Sequence, residues 1–417
     1  MHVDVADHNA MSAFEPTADD LVAWLVATGL EGAELRDLAD GFCSRLRAQG
    51  VRLNRAAFGS DLLHPLHFGT NIIWRPETNR AEQEFYGDNP NTTPDDPEGW
   101  LNSPFYRLYV SGDSSLRRRL DSSHTRNDIP LLDRFQDEGA TDYLATMTRF
   151  GRSSILGDTE GVACSYLTHD PDGFSDGEID YLIKLGDPFS LAYKSITTLD
   201  TSRTVMRTYL GDDAAQRVLD GDIRRGTAET IDAVLWYSDL QNFTRIADTT
   251  PRDSLMAFLN AYAELMVDVI HDHGGQVLKF MGDGVLGMFP RAGNPKACDS
   301  ALDAAIALIT GLDRLNEQRQ AQSLPTTHVR LGLHRGEVLY GNIGSSARLD
   351  FTVIGPAVNE VARIEGMCRS LGQDIVISSA FAQSSTLSPN RVVSLGRYAL
   401  RGVSRPQELF TIDADRL

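Results

Sequence analysis

The stretch LKFMGDGVLGMF, residues 278–289, is apolar and glycine-rich apart from one cation, Lys279, and one anion, Asp283. It reads as two strands, QVLKF and GVLGMF, joined through MGDG. Glycines at 282 and 284 permit a tight hairpin, which puts Asp283 at its tip. Upstream, AVLWYSDLQNFTRIAD (233–248) reads as a buried strand, a turn and the start of a helix. Asp239 then lies at the strand's end, where ligands sit in βα units. The backbone N–H groups of Phe243 and Thr244 would face the same spot, and a helix N-terminus favours phosphate. An aspartate and a phosphate share a site only across a cation, so Asp239 reads as a metal ligand; the structural alternative is a helix-capping Asp. If the hairpin tip lies beside that strand end, Asp239 and Asp283 could hold two divalent ions, as in-line phosphoryl displacement requires. The simpler reading of Lys279 and Asp283 is a local salt bridge.

Outward from this pair, residues 253–273 carry Leu255, Phe258, Leu259, Tyr262, Leu265, Met266, Val269 and Ile270 at helical spacing, a core stripe. Gly274 and Gly275 end that helix. His271 and His273 fall at its charged C-terminal end and read as solvated rather than metal-bound. Asn359 and Arg363 are four apart and share a helix face.

The first half is organised differently. Residues 17–49 read as two helices, with Thr17 as N-cap and Gly50 as the stop. Strands follow over 51–86, then a Pro- and Asp-rich loop, GDNPNTTPDDPEG (87–99). FYRLYVSG reads as a further strand and 131–150 as an amphipathic helical region. SSILG and VACSYLT read as a late hairpin. FSDGEIDYLIKLG opens with a Ser-x-x-Glu capping box, Ser175 and Glu178, and continues as a helix to 199. Residues 201–231 are helix-prone and read as a connector, either one that transmits state or a passive linker.

The chain has 417 residues and 41% hydrophobic residues, enough for two or three domains with ordinary cores. Its formal net charge of −19 argues against a general nucleic-acid binder. No apolar run approaches the roughly 20 residues of a membrane span, and the acidic N-terminus lacks the order of a secretion signal. Cys43, Cys164, Cys298 and Cys368 are scattered, which fits reduced core cysteines in a cytoplasmic protein.

SDLQNFT, KFMGDGVLGMF, HVRLGLHRGEVLYGNIG and FTVIGPAVNEVARIE occur in this order, and together they resemble the catalytic domain of class III nucleotidyl cyclases, the adenylate and guanylate cyclases. The resemblance covers about 225–415. It implies an α+β fold, a ferredoxin-like antiparallel-rich sheet covered by helices on one side. It also implies roles. Asp239 and Asp283 bind two Mg²⁺ or Mn²⁺ ions. Lys279 and Thr352 read the purine, Asn359 orients the ribose, and Arg363 stabilises charge on the reacting phosphate. Arg330 and Arg401 match positions that contact the triphosphate in some members, Arg401 standing where a lysine is usual. Asn242 replaces the family's usual glycine, and Asn is the residue type that best tolerates φ > 0 after glycine.

Lys279 can donate to adenine N1 and Thr352 can accept from the 6-amino group, which favours ATP over GTP. The expected protein is a homodimer with active sites at the interface, converting ATP to cyclic AMP and pyrophosphate. Its rivals are a guanylate or pyrimidine cyclase and a non-catalytic nucleotide-binding signalling module. Element order in the first half resembles a GAF-type α+β sensory domain, whose input would be a small molecule or a protein. The expected division is 1–199 sensory, 200–230 connector and 231–417 catalytic.

Overall fold

The computed structural model describes residues 18–87, 100–120, 128–151, 160–387, 391–403 and 405–413. The chain separates into two compact units, Met1–Val205 and Met206–Leu417. Both are mixed α+β with antiparallel-rich sheets. The SSILG segment, Thr17 and all but the first residue of the 87–99 loop lie outside the described residues.

In the first unit, helices α1 (Ala18–Glu31) and α2 (Leu35–Ala48) precede strands β1 (Arg55–Asp61), β2 (Gly69–Arg75) and β3 (Arg80–Tyr86). Then come α3 (Pro104–Ser111), β4 (Ser115–Arg119), α4 (Pro130–Asp137), β5 (Asp142–Arg149) and β6 (Gly161–Thr168). The sheet order is β3-β2-β1-β6-β5-β4, antiparallel throughout. The long helix α5 (Asp176–Leu210) follows. One sheet face packs Phe58, Trp74 and Tyr166 against Phe42 of α2 and Phe189 of α5. The other packs Tyr143 and Leu167 against Leu108, Leu132 and Phe135. The capping box forms as read: Ser175 N donates to Glu178 Oε2 at 2.8 Å, and Glu178 N to Ser175 Oγ at 3.3 Å.

Two expectations fail here. FYRLYVSG is not a strand but most of α3. Ser103 caps it by accepting from Tyr106 N at 3.0 Å, Pro104 occupies the first turn, and Gly112 ends it in the left-handed region. Residues 131–150 are helical only as far as Asp137. Gly139, at φ 91°, turns the chain into β5, whose leading half is buried.

In the second unit, α6 (Asp212–Leu219) leads into β7 (Ala228–Leu240), α7 (Phe243–Thr249), α8 (Arg252–Asp272), β8 (Gln276–Met281), β9 (Gly284–Pro290) and α9 (Ala297–Ala321). Next are β10 (Val329–Gly344), β11 (Leu349–Ile354), α10 (Pro356–Leu371), β12 (Ile375–Ser378), α11 (Ser379–Ala382), β13 (Val392–Tyr398) and β14 (Gln407–Ile412). The sheet order is β13-β14-β12-β10-β7-β9-β8, with β11 paired to β10. Its β10-β7-β9-β8 half is the ferredoxin-like order, antiparallel at each step.

Strand alternation on β7 assigns the faces. Val234, Trp236 and Leu240 pack with Phe258, Met266, Ala301 and Leu308 of α8 and α9. Ala233 and Leu235 point the other way, onto Ala357 and Val361 of α10 and Ala214 of α6. Helices therefore lie on both faces, where a cover on one side was expected. Gly332 makes room for α10: a Cβ there would meet Val361 O at 2.7 Å and Glu365 N at 2.8 Å.

Candidate functional site

Asp239 ends β7 on the α10 face of the sheet, directly opposite Arg330 of β10 in the strand register. The β8–β9 hairpin turns through Gly282, at φ 70°, and Asp283. Gly284 lets this tip sit against the end of β7. A Cβ at 284 would meet Ser238 O at 2.9 Å and Asp239 Oδ1 at 3.5 Å. The tip thus brings the Asp283 carboxyl within hydrogen-bond reach of Asp239.

The electrostatics follow from this closeness. Burial, and then the neighbouring Asp283 carboxyl, push Asp239 up to about 7, with Glu365 adding to the effect. Glu365 itself is raised by burial, against the opposing pull of Arg330 and Arg369. Tyr237, two residues before Asp239 on the same face, is raised by burial and by the same three acids. Among the described residues, no three His, Cys, Asp or Glu side chains converge as a metal cage. Two carboxylates that repel each other still fit a hard divalent cation, which takes one or two protein carboxylates and completes its shell with water and phosphate oxygens.

The loop after β7 is held by its backbone and by Gln241. Gln241 N donates to His328 O at 2.8 Å, Thr327 Oγ1 to Gln241 O at 2.6 Å, and Gln241 Nε2 to Asp374 Oδ1 at 2.6 Å. Asn242 takes φ 57° and ψ 24°, so it adopts the left-handed backbone its residue type permits. Phe243 packs at the edge of the core and Thr244 is exposed at the start of α7.

Lys279 does not pair with Asp283. Its Nζ lies 2.8 Å from Asp350 Oδ2 on β11. Thr352, two residues along β11, is 6% exposed, and its Oγ1 has no hydrogen-bond partner. Asn359 is exposed on α10 and Arg363 follows one turn later. The turn containing Arg401 passes beside Arg363: a Cβ at Gly402, φ 74°, would meet Arg363 Nη2 at 3.3 Å.

Apart from Phe243 and Thr244 at the start of α7 and Asn359 on α10, the sequence-predicted residues fall into three groups within one chain. Asp239, Asp283 and Arg330 form one. Lys279 and Thr352 belong to the strands β8 and β11. Arg363 and the Arg401–Gly402 turn form the third. Two residues in these groups were missed from sequence. Glu365 sits two residues past Arg363 on the same helix, and its spacing from Asn359 carries no helical signal. Asp350 sits two residues before Thr352, and the period of a strand would have placed both on one face.

A ferredoxin-like sheet with paired carboxylates beside a strand end fits a protein that handles phosphate through divalent cations. Residues 227–414 match the family model described as the adenylate and guanylate cyclase catalytic domain. This segment, somewhat under half of the chain, is thus similar to the catalytic domain of the class III nucleotidyl cyclases. It is 33% identical over 192 residues to an adenylate cyclase of Anabaena cylindrica, covering 45% of this chain and 37% of that protein. It is 30% identical over 145 residues to adenylate cyclase 1 of Rhizobium meliloti (strain 1021), covering 34% of this chain and 22% of that one. The chain thus spans well under half of the length of these curated relatives. Among solved structures it is similar to the adenylyl cyclase CyaB of P. aeruginosa, with 25% identity, a TM-score of 0.42, and coverage of 46% of this chain and 99% of that one. It is also similar to the guanylyl cyclase Cya2, with 30% identity, a TM-score of 0.39, and coverage of 44% and 93%. Among the described residues no helix is long and apolar enough to cross a membrane.

Proposed function

We propose that this chain is an adenylate cyclase that converts ATP to 3′,5′-cyclic AMP and pyrophosphate, working as a homodimer under control of its N-terminal unit. The observation that carries the proposal is the Asp239–Asp283 pair, two carboxyl groups held close enough at a strand end and a hairpin tip that each disfavours the other's charge. Class III cyclases are generally dependent on divalent metal ions. Mg²⁺ or Mn²⁺ on Asp239 and Asp283 would lower the pKa of the ribose 3′-hydroxyl and offset the charge of the leaving pyrophosphate.

The protein's own groups do the rest. The 3′-oxygen attacks the α-phosphorus in line as the bond to the β-phosphate oxygen breaks, and the hydroxyl proton passes to solvent. Asn359 orients the ribose. Arg363 meets charge building on the α-phosphate, where a positioned cation has its largest effect. Arg330 and Arg401 meet the outer phosphates, and the start of α7 at Phe243 and Thr244 offers backbone N–H groups to them. Asn359 and Arg363 face away from the core, as residues serving a site completed by a second chain would. In this arrangement Lys279, Asn359 and Arg363 of one protomer act on the nucleotide held by Asp239 and Asp283 of its partner.

ATP is preferred because the unpartnered Thr352 Oγ1 accepts from the adenine 6-amino group while Lys279 donates to N1. The names of the two curated relatives point the same way. A GAF-like N-terminal unit would receive a small-molecule or protein signal. The segment before β7 supports a transmitting connector, because it is fastened to the β10–β11 arm. Tyr340 Oη donates to Asp213 Oδ2 at 2.8 Å, and Asn342 Nδ2 to Asp222 O at 2.6 Å. Purified chain assayed with Mn²⁺ and each of ATP, GTP, CTP and UTP tests the proposal. Faster formation of cyclic GMP than of cyclic AMP would overturn the ATP assignment. Cyclic AMP formation unchanged in Asp239→Ala would overturn the catalytic reading.

A further inference from the structure

One row across the N-terminal sheet gathers cations. Arg80 of β3 lies opposite Arg75 of β2. Ala56 of β1 pairs with Trp74 of β2, which makes Arg55 and Arg75 neighbours one step along. Arg55 lies opposite Leu167 of β6, Leu167 opposite Tyr143 of β5, and Tyr143 opposite Arg118 of β4. Residues opposite one another share a face, here the face that packs Tyr143 and Leu167 against Leu132 and Phe135 of α4. From above, α4 adds Arg134. The Arg55 and Arg134 guanidinium carbons lie 5.1 and 5.7 Å from the centre of the Phe135 ring. Like charges set opposite each other destabilise a sheet, so such a row calls for counter-charge.

The fold supplies little of it. Arg75 reaches Glu82 only at 3.8 Å and Arg134 reaches Glu138 only at 3.9 Å, both in exposed pairs. Arg118 donates to a backbone oxygen, Arg117 O, at 3.1 Å. Arg55 is part-buried, and among the described residues no carboxylate pairs with it. Burial pulls its pKa below the ordinary arginine range, and Arg75 and Arg134 add to that against the opposing pull of Tyr143. Other arginines of the same unit are treated differently: Arg52 meets Glu178 at 2.6 Å and Arg117 meets Asp142 at 2.8 Å. A desolvated charge without a partner costs stability, and here that cost stands where three guanidinium groups gather around one ring.

We propose that Arg55, Arg75 and Arg134 bind a small polyanion, a phosphate or a di- or tricarboxylate, on this face of the N-terminal unit. The planar guanidinium fork matches carboxylate and phosphate oxygens alike. Several cations facing weakly held acids suit a ligand with more than one negative charge, and the Phe135 ring fixes the Arg55 plane from one side. The site gives a chemical class to the small-molecule signal proposed above for this unit, and its binding of anions stands apart from the cyclase reading.

The test is isothermal titration of the full chain, free of metal, with inorganic phosphate and with citrate at ionic strength matched by sodium chloride. It compares wild type, Arg55→Leu, Arg55→Lys and Arg75→Gln. Any affinity of the C-terminal unit for phosphate is common to all four chains and cancels. Arg55→Leu is expected to weaken binding of the preferred anion by at least about tenfold, the loss of a charge-assisted pair, and Arg75→Gln by less. Arg55→Lys keeps part of it. Without anion, Arg55→Leu should melt no lower than wild type, since it removes an unpaired charge. The anion should raise the melting temperature of wild type more than that of Arg55→Leu. Equal binding by wild type and Arg55→Leu, or no binding of either anion, overturns the inference. So does an Arg55→Leu chain that melts several degrees lower without anion, because the guanidinium then serves the fold. Binding that leaves cyclic AMP formation unchanged overturns the signal role and leaves the site standing, and a chain that cyclises no nucleotide overturns the cyclase reading alone.

Discussion

The two units treat their buried acids in opposite ways. In the N-terminal unit Asp142 is fully buried and saturated. It accepts from Arg117 Nη2 at 2.8 Å, Tyr143 N at 3.0 Å and Phe174 N at 3.1 Å. Glu178, 1% exposed, accepts from Arg52 Nη2 at 2.6 Å and Ser175 N at 2.8 Å. Burial pushes Glu178 up, but Arg52 and Ser175 outweigh it and hold the carboxyl below its ordinary range. In the C-terminal unit Asp239 faces another aspartate, and Glu365 adds a third acid nearby. Acids that only support a fold are neutralised where they sit. An acid left facing another acid is held that way by the rest of the fold, which marks a candidate functional site.

The largest expected difference between the two kinds of acid is in catalysis. Asp239→Ala and Asp283→Ala should each lower cyclic AMP formation by at least about 10³-fold, since each removes part of the charge that holds the ions. Initial rates at saturating Mn²⁺ measure this. A substitution in the N-terminal set breaks the comparison from the other side. Asp142→Ala removes the buried acceptor that Arg117, Tyr143 N and Phe174 N share and should cost about 3 kcal/mol of stability, whereas Asp239→Ala should cost less than about 1 kcal/mol because it relieves repulsion. Urea unfolding of the two variants distinguishes them.

A pH series sharpens the comparison. The folded chain holds a proton on Asp239 up to about pH 7, while the unfolded chain releases it near 3.8. The folded state therefore binds more protons across that interval, and stability from this group falls as pH rises from about 4 to 7, then levels off. Without metal, the melting temperature of the wild-type chain should drop relative to Asp239→Asn over that window, and Mn²⁺ should remove the difference. Equal pH profiles without metal would contradict the close approach of the two carboxyl groups. The smallest expected effect is Thr352→Val. Its hydroxyl has no partner in the fold, so stability should change by no more than about 0.5 kcal/mol, while kcat/KM for ATP falls. A large loss of stability would mean the hydroxyl serves the fold.

What was legible in the sequence follows the range of the forces involved. The hairpin tip, the strand ending at Asp239 and the Ser175–Glu178 box are set within a few residues by glycine φ, alternation and capping, and all three formed as read. Asn242 kept the turn for the same local reason. FYRLYVSG misled because the signals that settle it, Ser103 with Pro104 and Gly112, lie at its edges. Residues 131–150 misled because one glycine changes the period midway. Glu365 was out of reach for another reason, and strand period alone would have set Asp350 beside Thr352 without naming its partner Lys279. Their importance depends on which element lies above them, α10 over Gly332 and β11 beside β8, and that is a property of the assembled sheet.

The central claim is that one hairpin carries two charges that belong to different sites: Lys279 reads the base in one, and Asp283 holds metal in the other. Mixing Lys279→Ala chains with Asp283→Ala chains tests it most directly. Each variant alone should be nearly inactive. A mixed dimer contains one site built from an intact Asp283 and an intact Lys279, so cyclic AMP formation should return on mixing, to at most half the wild-type rate per dimer. Failure of the mixture to exceed its inactive components, under conditions where the chains exchange partners, would contradict the account.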